Sequence, residues 1–468
     1  MSGIAALGAA VGCAGPRIVD RAVVVAADEG RDERPRAPMS TQGPWIGAAM
    51  ASDAMLAGPN ESFVAVWVDV PKAEQKVHAP ASVAIVIDTS GSMAGAKIGN
   101  ARKAAAKFVD GLADGDFVSL HTFSDAAEVR VAPVKLDARS RAELASAIDG
   151  ISAEGGTNLF EGVRAGGLAA MAAPEGYAVK RVVLISDGLA TAGDTSRASL
   201  SLLGEKAAEH GVQITSVGVG LDYDEKALNA LAINSAGRLY HLEDPGQLAG
   251  ILSEEMSLLS ATRATDAFVE IVAAPGVELL GVEGARSSRE GAALKVPLGS
   301  MFGGQHKEFI VRVRSNAPSP GTRAIAGVRL TFQDPAEDDL ARIQEAIARV
   351  EVVTDPALVE RRKNRKAEGI LAMIDASKST EIAIASIHRD DFKAADDQLA
   401  QAEKRMTVQA ENAADPTDKA RFEESAARIR QARTDVGAAA AAPPSAAPAM
   451  KRGLELRTND MEMDMNGM

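Results

Sequence analysis

The chain has 468 residues, more than one ordinary domain of about 100–200 residues, and its 46% apolar and 25% charged composition predicts two or three globular domains. A formal net charge of −13 and an aromatic content of 3% argue against a nucleic-acid partner, because phosphate is repelled and few rings can stack on bases. No stretch reaches the roughly 18 apolar residues that cross a bilayer, so membrane attachment requires a lipid or another protein.

Residues 1–13 end in Cys13, the only cysteine of the chain, which excludes an intramolecular disulfide. The run IAALGAAVGC is small and apolar and resembles the lipobox of bacterial lipoproteins, in which the cysteine is acylated after cleavage. It departs from that pattern because a positively charged segment and a leucine three positions before Cys13 are missing. The resemblance implies a protein of the bacterial cell envelope, lipid-anchored at Cys13 or secreted; the alternative is a frayed N-terminus with an incidental thiol.

Residues 14–58 mix Arg, Asp, Pro, Gly and Ala without a sustained apolar period, which predicts a flexible tether. The next segment contains SFVAVWVDV at residues 62–70, whose alternation is typical of a half-buried strand. Residues 59–80 are therefore predicted to contribute one or more strands.

Residues 82–261 alternate between buried strands and amphipathic helices, beginning with the uninterrupted apolar run SVAIVID. This alternation predicts an α/β domain with a Rossmann-like, doubly wound sheet, although the strand order cannot be read from the sequence. After the first strand, further strands are predicted at residues 117–123, 128–134, 181–185, 212–219 and 238–242. Helices are predicted at residues 96–112, 141–151, 159–172, 196–210, 224–236 and 245–259.

Residues 262–355 return to apolar alternation between Gly, Pro and Asn turns, which predicts an antiparallel β-sandwich domain. Its strands are expected at residues 267–272, 293–298, 308–313 and 324–332. The strand at residues 62–70 has no obvious partner in the α/β unit. We expect it to complete the sandwich, which makes the α/β domain an insertion.

Residues 356–435 form a predicted C-terminal α-helical region, described best as a helical hairpin. The first helix is expected to run to about residue 387 and the second to begin after Asp390. A third amphipathic stretch follows at residues 418–433. Residues 436–468 combine an Ala/Pro run with a Met-rich polar segment and are predicted to be a disordered tail.

The chemistry lies at the ends of the predicted strands. Asp88, Ser90 and Ser92 form a D-x-S-x-S sequence at the C-terminal end of the first strand. Open α/β sheets bind their ligands at the edge where the parallel strands end. Thr157, in GGTN, precedes a helix, and Asp187, in ISDG, follows another strand. Carboxylate and hydroxyl oxygens are hard ligands that suit Mg²⁺, Mn²⁺ or Ca²⁺ better than zinc or copper. Capping of helices and loops by the same residue types is the alternative explanation.

These three motifs, in this order and on these elements, resemble the metal-ion-dependent adhesion site of von Willebrand factor A-type domains, as found in bacterial envelope proteins. The resemblance implies that Ser90 and Ser92 bind the metal directly, Thr157 directly or through water, and Asp88 and Asp187 mostly through water. It further implies that the Asp or Glu of a partner protein supplies a last ligand to the cation.

The expected function is non-enzymatic, divalent-cation-dependent protein binding, in adhesion or as a scaffold. Two alternatives stay open: a cytoplasmic adaptor that docks on an ATPase, and a metal-dependent hydrolase. The six histidines show no metal-ligand spacing, and the hydrolase pattern G-x-S-x-G is absent from the sequence.

Overall fold

The computed structural model describes residues 45–72, 79–187, 190–219, 223–242, 247–335 and 340–443, together with Lys451, Gly453, Leu454 and Thr458. Cys13 and residues 14–44 of the predicted tether lie outside the described residues. The described ranges form three regions, which are a β-sandwich, an α/β domain and a set of C-terminal helices.

The described part of the segment before residue 59 is folded, so the tether prediction is wrong for residues 45–58. It contains β1 (Ile46–Met50) and β2 (Ala54–Leu56), which lead into β3 (Gly58–Asp69). The sequence pattern of a strand is weak here because β1 consists largely of small residues. One of these small residues, Gly47, is required for steric reasons. A Cβ on Gly47 would lie 2.2 Å from the ring of Trp67, so only glycine leaves room for the indole.

The α/β domain has a sheet with the order β6-β5-β4-β7-β8-β9, in which β6 is antiparallel and the other strands are parallel. The predicted doubly wound fold is confirmed. Its strands are β4 (Ala81–Asp88), β5 (Phe117–Phe123), β6 (Ala127–Lys135), β7 (Val179–Ser186), β8 (Val212–Val219) and β9 (Leu239–Leu242). Its helices are α1 (Ala96–Gly111), α2 (Ala138–Asp149), α3 (Leu159–Met171), α4 (Arg197–Glu209), α5 (Glu225–Asn234) and α6 (Leu248–Ser260).

Strand β4 explains why its sequence is apolar without interruption. Val83, Ile85 and Ile87 pack into the core under α1, α2 and α6, whereas Ala84 and Val86 pack into the core under α3, α4 and α5. Because successive side chains point to opposite faces, a central strand covered on both sides must be apolar at every position. All eight residues of β4 are buried, which holds its C-terminal end rigidly.

The α/β domain is inserted into the sandwich. One sandwich sheet has the order β1-β3-β14-β11 and the other β12-β13-β10-β15-β16-β2, and a shared apolar core lies between them. The strands after the insertion are β10 (Thr262–Ala273), β11 (Val277–Glu283), β12 (Ser288–Glu290), β13 (Ala293–Phe302), β14 (His306–Ala317), β15 (Gly321–Asp334) and β16 (Leu340–Val353). The predicted strand at residues 62–70 is β3, which pairs with β14 from Gly58↔Ala317 to Asp69↔His306.

The helical region is a bundle rather than a hairpin. It contains α7 (Pro356–Arg361), α8 (Arg365–His388), α9 (Phe392–Asn412) and α10 (Pro416–Ala440). The hairpin prediction is wrong because two helices would leave Leu399 and Met406 of α9 uncovered, and Phe422 and Ile429 of α10 share their core.

The single helix predicted from residue 356 to 387 is also wrong, because the chain breaks between α7 and α8. Asn364 caps α8 through its side chain and donates its backbone N–H to the Ala51 carbonyl at 2.9 Å. The Ser52 hydroxyl donates to the carbonyls of Val359 and Arg362. Contacts with the segment between β1 and β2 therefore end the first helix.

Part of the predicted disordered tail is ordered. Helix α10 continues through residues 437–440, and Leu454 and Thr458 are buried, with Leu454 in the bundle core. The Lys451 ammonium donates to the His388 carbonyl at 3.0 Å and to Asp390 at 2.6 Å. The disorder prediction is wrong at these positions, because it considered composition without the bundle surface.

Candidate metal centre

Three loops meet at the carboxyl edge of the α/β sheet. Asp88 is the last residue of β4, and Asp187 directly follows β7, the parallel neighbour of β4. Thr157 lies just before α3, whose N-cap is Asn158. Since β4, β5 and β7 are parallel neighbours, the loops that follow them open on the same side.

Asp88 is a fully buried carboxylate with two donors. The Ser90 backbone N–H donates to Oδ1 at 2.8 Å, and the Ser186 hydroxyl donates to Oδ2 at 2.5 Å. Burial raises the pKa of Asp88 above its ordinary value, and the hydrogen bonds from Ser186 and Ser90 oppose that rise. The carboxylate is thus oriented by its own loop and by the end of β7.

The two serines of the first loop converge on one point. Ser90 Oγ and Ser92 Oγ lie 3.0 Å apart, and the Ser92 hydroxyl donates to Asp187 Oδ1 at 2.8 Å. Ser90 is 2% exposed and Asp187 2%, whereas Ser92 lies on the exposed surface. The cluster therefore opens to solvent on the Ser92 side.

Backbone hydrogen bonds tie the threonine loop to the serine loop. The Gly91 N–H donates to the Gly155 carbonyl at 3.1 Å, and the Glu154 N–H donates to the Thr89 carbonyl at 2.6 Å. Thr157 is 3% exposed, and its N–H donates to the Thr191 hydroxyl at 3.0 Å. The structure thus connects Asp88, Ser90, Ser92 and Asp187 through side-chain contacts and holds Thr157 beside them through the backbone.

Two side chains at this centre were missed by the sequence reasoning. Lys97, in the first turn of α1, forms an ion pair with Asp187 Oδ2, and Ser186 holds Asp88. Ser186 adjoins Asp187 in the ISDG motif, so the motif itself contained a signal. Lys97 gave none beyond its closeness to the D-x-S-x-S sequence, because a lysine near a helix start is ordinarily solvated.

The donor set fits a hard divalent cation. Two carboxylates and three hydroxyls supply oxygen only, which suits Mg²⁺, Mn²⁺ or Ca²⁺. In the described ranges no three His, Cys, Asp or Glu side chains are grouped to hold a metal, so a cation at this edge would depend on the hydroxyls. No helix in those same ranges combines the length and low polarity that crossing a bilayer requires.

Comparison with known proteins finds similarity to one family in the α/β domain. Residues 82–254 match the model of the von Willebrand factor type A domain. An uncharacterized protein of Synechocystis, sll0103, is 26% identical over 55% of this chain and 62% of its own length. Human inter-alpha-trypsin inhibitor heavy chain H4 is 32% identical over 34% of this chain and 18% of its own length. The chain thus spans less than two thirds of these relatives.

Solved structures share the fold beyond the α/β domain. The von Willebrand factor type A protein from Catenulispora acidiphila has a TM-score of 0.66 at 19% identity, covering 84% of this chain and 91% of that one. The ArnB paralog VWA2 from Sulfolobus acidocaldarius has a TM-score of 0.57 at 16% identity, covering 89% and 97%. At these identities the likeness concerns the fold alone.

Proposed function

Because residues 82–254 form a von Willebrand factor type A domain, we propose that this chain binds a partner protein through a divalent cation at its candidate metal centre. The residues that would hold the cation are Asp88, Ser90, Ser92, Thr157 and Asp187. The observation that carries the proposal is the meeting of two serine hydroxyls, 3.0 Å apart, with two carboxylates at an edge open to solvent.

The charges of the donor set support partner binding. Ser90, Ser92 and Thr157 are neutral, so a cation that they ligate directly keeps much of its positive charge, and the resemblance implies water between it and the two aspartates. Mg²⁺ demands six oxygen ligands. A partner's Asp or Glu carboxylate, entering from the exposed Ser92 side, would complete the set.

A non-enzymatic role is part of the proposal. The Ser92 hydroxyl donates to Asp187 and the Ser186 hydroxyl donates to Asp88. Both serines are thus paired with carboxylates, whereas nucleophilic catalysis by serine ordinarily needs an adjacent general base such as histidine. We therefore assign Ser92 the role of a metal ligand rather than of a nucleophile, and Ser186 that of positioning Asp88.

The test has two stages. Calorimetric titration with Mn²⁺ is expected to show one site in the wild type, strong weakening in Ser90→Ala and no change in Ser146→Ala. Ser146 is an exposed serine of α2 and serves as the matched control. Capture of partners from envelope extract is then expected to disappear with chelator and in Asp88→Ala. If the same proteins are captured despite the chelator and the Asp88→Ala substitution, partner binding does not depend on the cation.

We further propose that the protein is displayed on a bacterial envelope through a lipid on Cys13, which rests on the sequence around that cysteine. Metabolic labelling with a fatty acid is expected to mark the wild type and not Cys13→Ser. An unlabelled wild type in the soluble cytoplasmic fraction would favour an adaptor role instead.

A further inference from the structure

Lys97 places a positive charge inside the candidate metal centre. Its ammonium pairs with Asp187 Oδ2, while Asp187 Oδ1 accepts the Ser92 hydroxyl. The Asp187 side chain is fully buried, whereas the Lys97 side chain is 30% exposed. Both oxygens of a buried candidate ligand are therefore engaged by the chain itself, one of them by a cation.

The position of Lys97 in its helix is electrostatically unfavourable. Lys97 is the second residue of α1 (Ala96–Gly111), and the first turn of α1 contains no acidic residue. The N-terminal end of a helix carries partial positive charge and favours anions, so a lysine there is repelled by its own helix. Asp187, on a different loop, compensates for that repulsion, and the helix gains nothing from the lysine locally.

The charge of Lys97 also compensates for buried negative charge at Asp187. Asp88 and Asp187 are buried carboxylates on neighbouring strand ends, and like charges in a buried place need a compensating cation. Lys97 can supply one unit of that charge. A divalent cation ligated by Ser90 and Ser92 would supply two units to the same carboxylates.

We propose that Lys97 is a tethered cation that competes with the divalent metal for Asp187 and thereby lowers the metal affinity of the site. This inference rests on the proposed function. The flexible four-carbon stem and partial exposure of Lys97 allow the ammonium to move to solvent when a metal takes its place. The competition raises the free metal concentration at which the site is half occupied.

The opposite role makes the opposite prediction. If Lys97 served only to orient Asp187 toward the metal, removal of its charge would loosen Asp187 and weaken metal binding. Competition predicts tighter binding after the same change. The sign of the change in affinity therefore separates a competing charge from a merely structural one.

The experiment compares Mn²⁺ dissociation constants by calorimetry in the full chain. Lys97→Met keeps the length of the side chain and removes the charge, and we expect about tenfold tighter Mn²⁺ binding. Lys97→Gln provides a second neutral variant in case the first does not fold. Lys97→Arg keeps the charge and is expected to bind as the wild type does.

Lys103→Met is the matched control, because Lys103 is an exposed lysine on the same helix. In chelator, Lys97→Met is expected to melt at a lower temperature than the wild type, and Lys103→Met at the same temperature. Unchanged or weaker Mn²⁺ binding by both neutral Lys97 variants would overturn the inference while leaving the proposed function intact. Absence of Mn²⁺ binding in the wild type and in every variant would instead overturn the proposed function.

Discussion

Charged side chains are clustered in two places, at the candidate metal centre and at the contact between the sandwich and the bundle. The two clusters have different roles. At the contact, His306 of β14 hydrogen-bonds Asp69 of β3 and, at 2.7 Å, Glu308 of β14. Arg421 of α10 pairs with Glu308 at 2.9 Å. These charges join elements of one chain, whereas the centre presents hydroxyls beside carboxylates at an open edge.

The two clusters also differ in whether apolar packing covers them. Beside the charged contact, Phe63 and Ile310 of the sandwich pack against Ile370 and Ile374 of α8. The charged groups of this contact are therefore part of a packed interface. At the metal centre Ser92 faces solvent, so the groups there remain accessible to a ligand from outside. The difference teaches that accessibility, more than residue type, separates a binding cluster from a structural one.

Asp88→Ala is expected to have the greatest effect on metal binding. It removes a buried charge that holds the Ser90 N–H and the Ser186 hydroxyl, so the Mn²⁺ dissociation constant should rise about a thousandfold, or about 4 kcal/mol. Calorimetry checks this value. A constant within threefold of the wild type would mean that Asp88 does not serve the cation.

Metal addition should stabilise the wild type and leave Asp88→Ala unchanged. At a free Mn²⁺ concentration of 100 times the dissociation constant, mass action predicts about 2.7 kcal/mol of added stability. Thermal melts with and without chelator measure the gain. Equal gains in both proteins would place the bound metal elsewhere in the chain.

Arg421→Met should destabilise the fold by about 2 kcal/mol and leave Mn²⁺ affinity unchanged. The substitution removes the ion-pair partner of Glu308, whose side chain is buried and only 7% exposed. The partial exposure of Arg421 limits the loss of stability. The control Arg428→Met breaks a surface pair of the same helix with Glu424 and should cost less than about 1 kcal/mol. Urea unfolding of both variants tests the difference, and equal losses would contradict an interface role.

The smallest expected effect is a pH dependence of the sandwich–bundle contact. Burial lowers the pKa of His306, but its hydrogen bonds to Asp69 and Glu308 outweigh burial, so the pKa is raised above 6.5. A raised pKa in the folded state means that the stabilisation is complete below the unfolded value of about 6.5 and is lost as the pH rises through the folded value.

Two facing cations take part in this balance: Arg421 opposes protonation of His306, and both Lys366 and Arg421 lower the pKa of Asp69. We expect the free energy of unfolding of His306→Gln to fall less steeply above pH 6.5 than that of the wild type. Urea unfolding from pH 5.5 to 8.5 measures it. A slope identical to that of the wild type would remove His306 from the explanation.

Local pattern in the sequence was sufficient to predict much of the fold and to nominate the five candidate ligands, whose role in metal binding stays a prediction. The run SVAIVID predicts a strand buried on both faces, and β4 has that environment. Helical periodicity places α1 and α3 within a residue or so of their observed ends. Asp88, Ser90 and Ser92 share one loop, so spacing alone brings them together. These features depend on neighbours a few positions away, which a sequence displays directly.

The tertiary structure decided the features that depend on distant partners. Strand β1 exists because it pairs with β3 and because Gly47 admits Trp67, and the helix break before α8 exists because residues 51–53 contact residues 359–364. The ion pair between Lys97 and Asp187 joins residues 90 positions apart. Such contacts carry no local period, and only the folding of β4 and β7 side by side gives Lys97 a place in the metal centre.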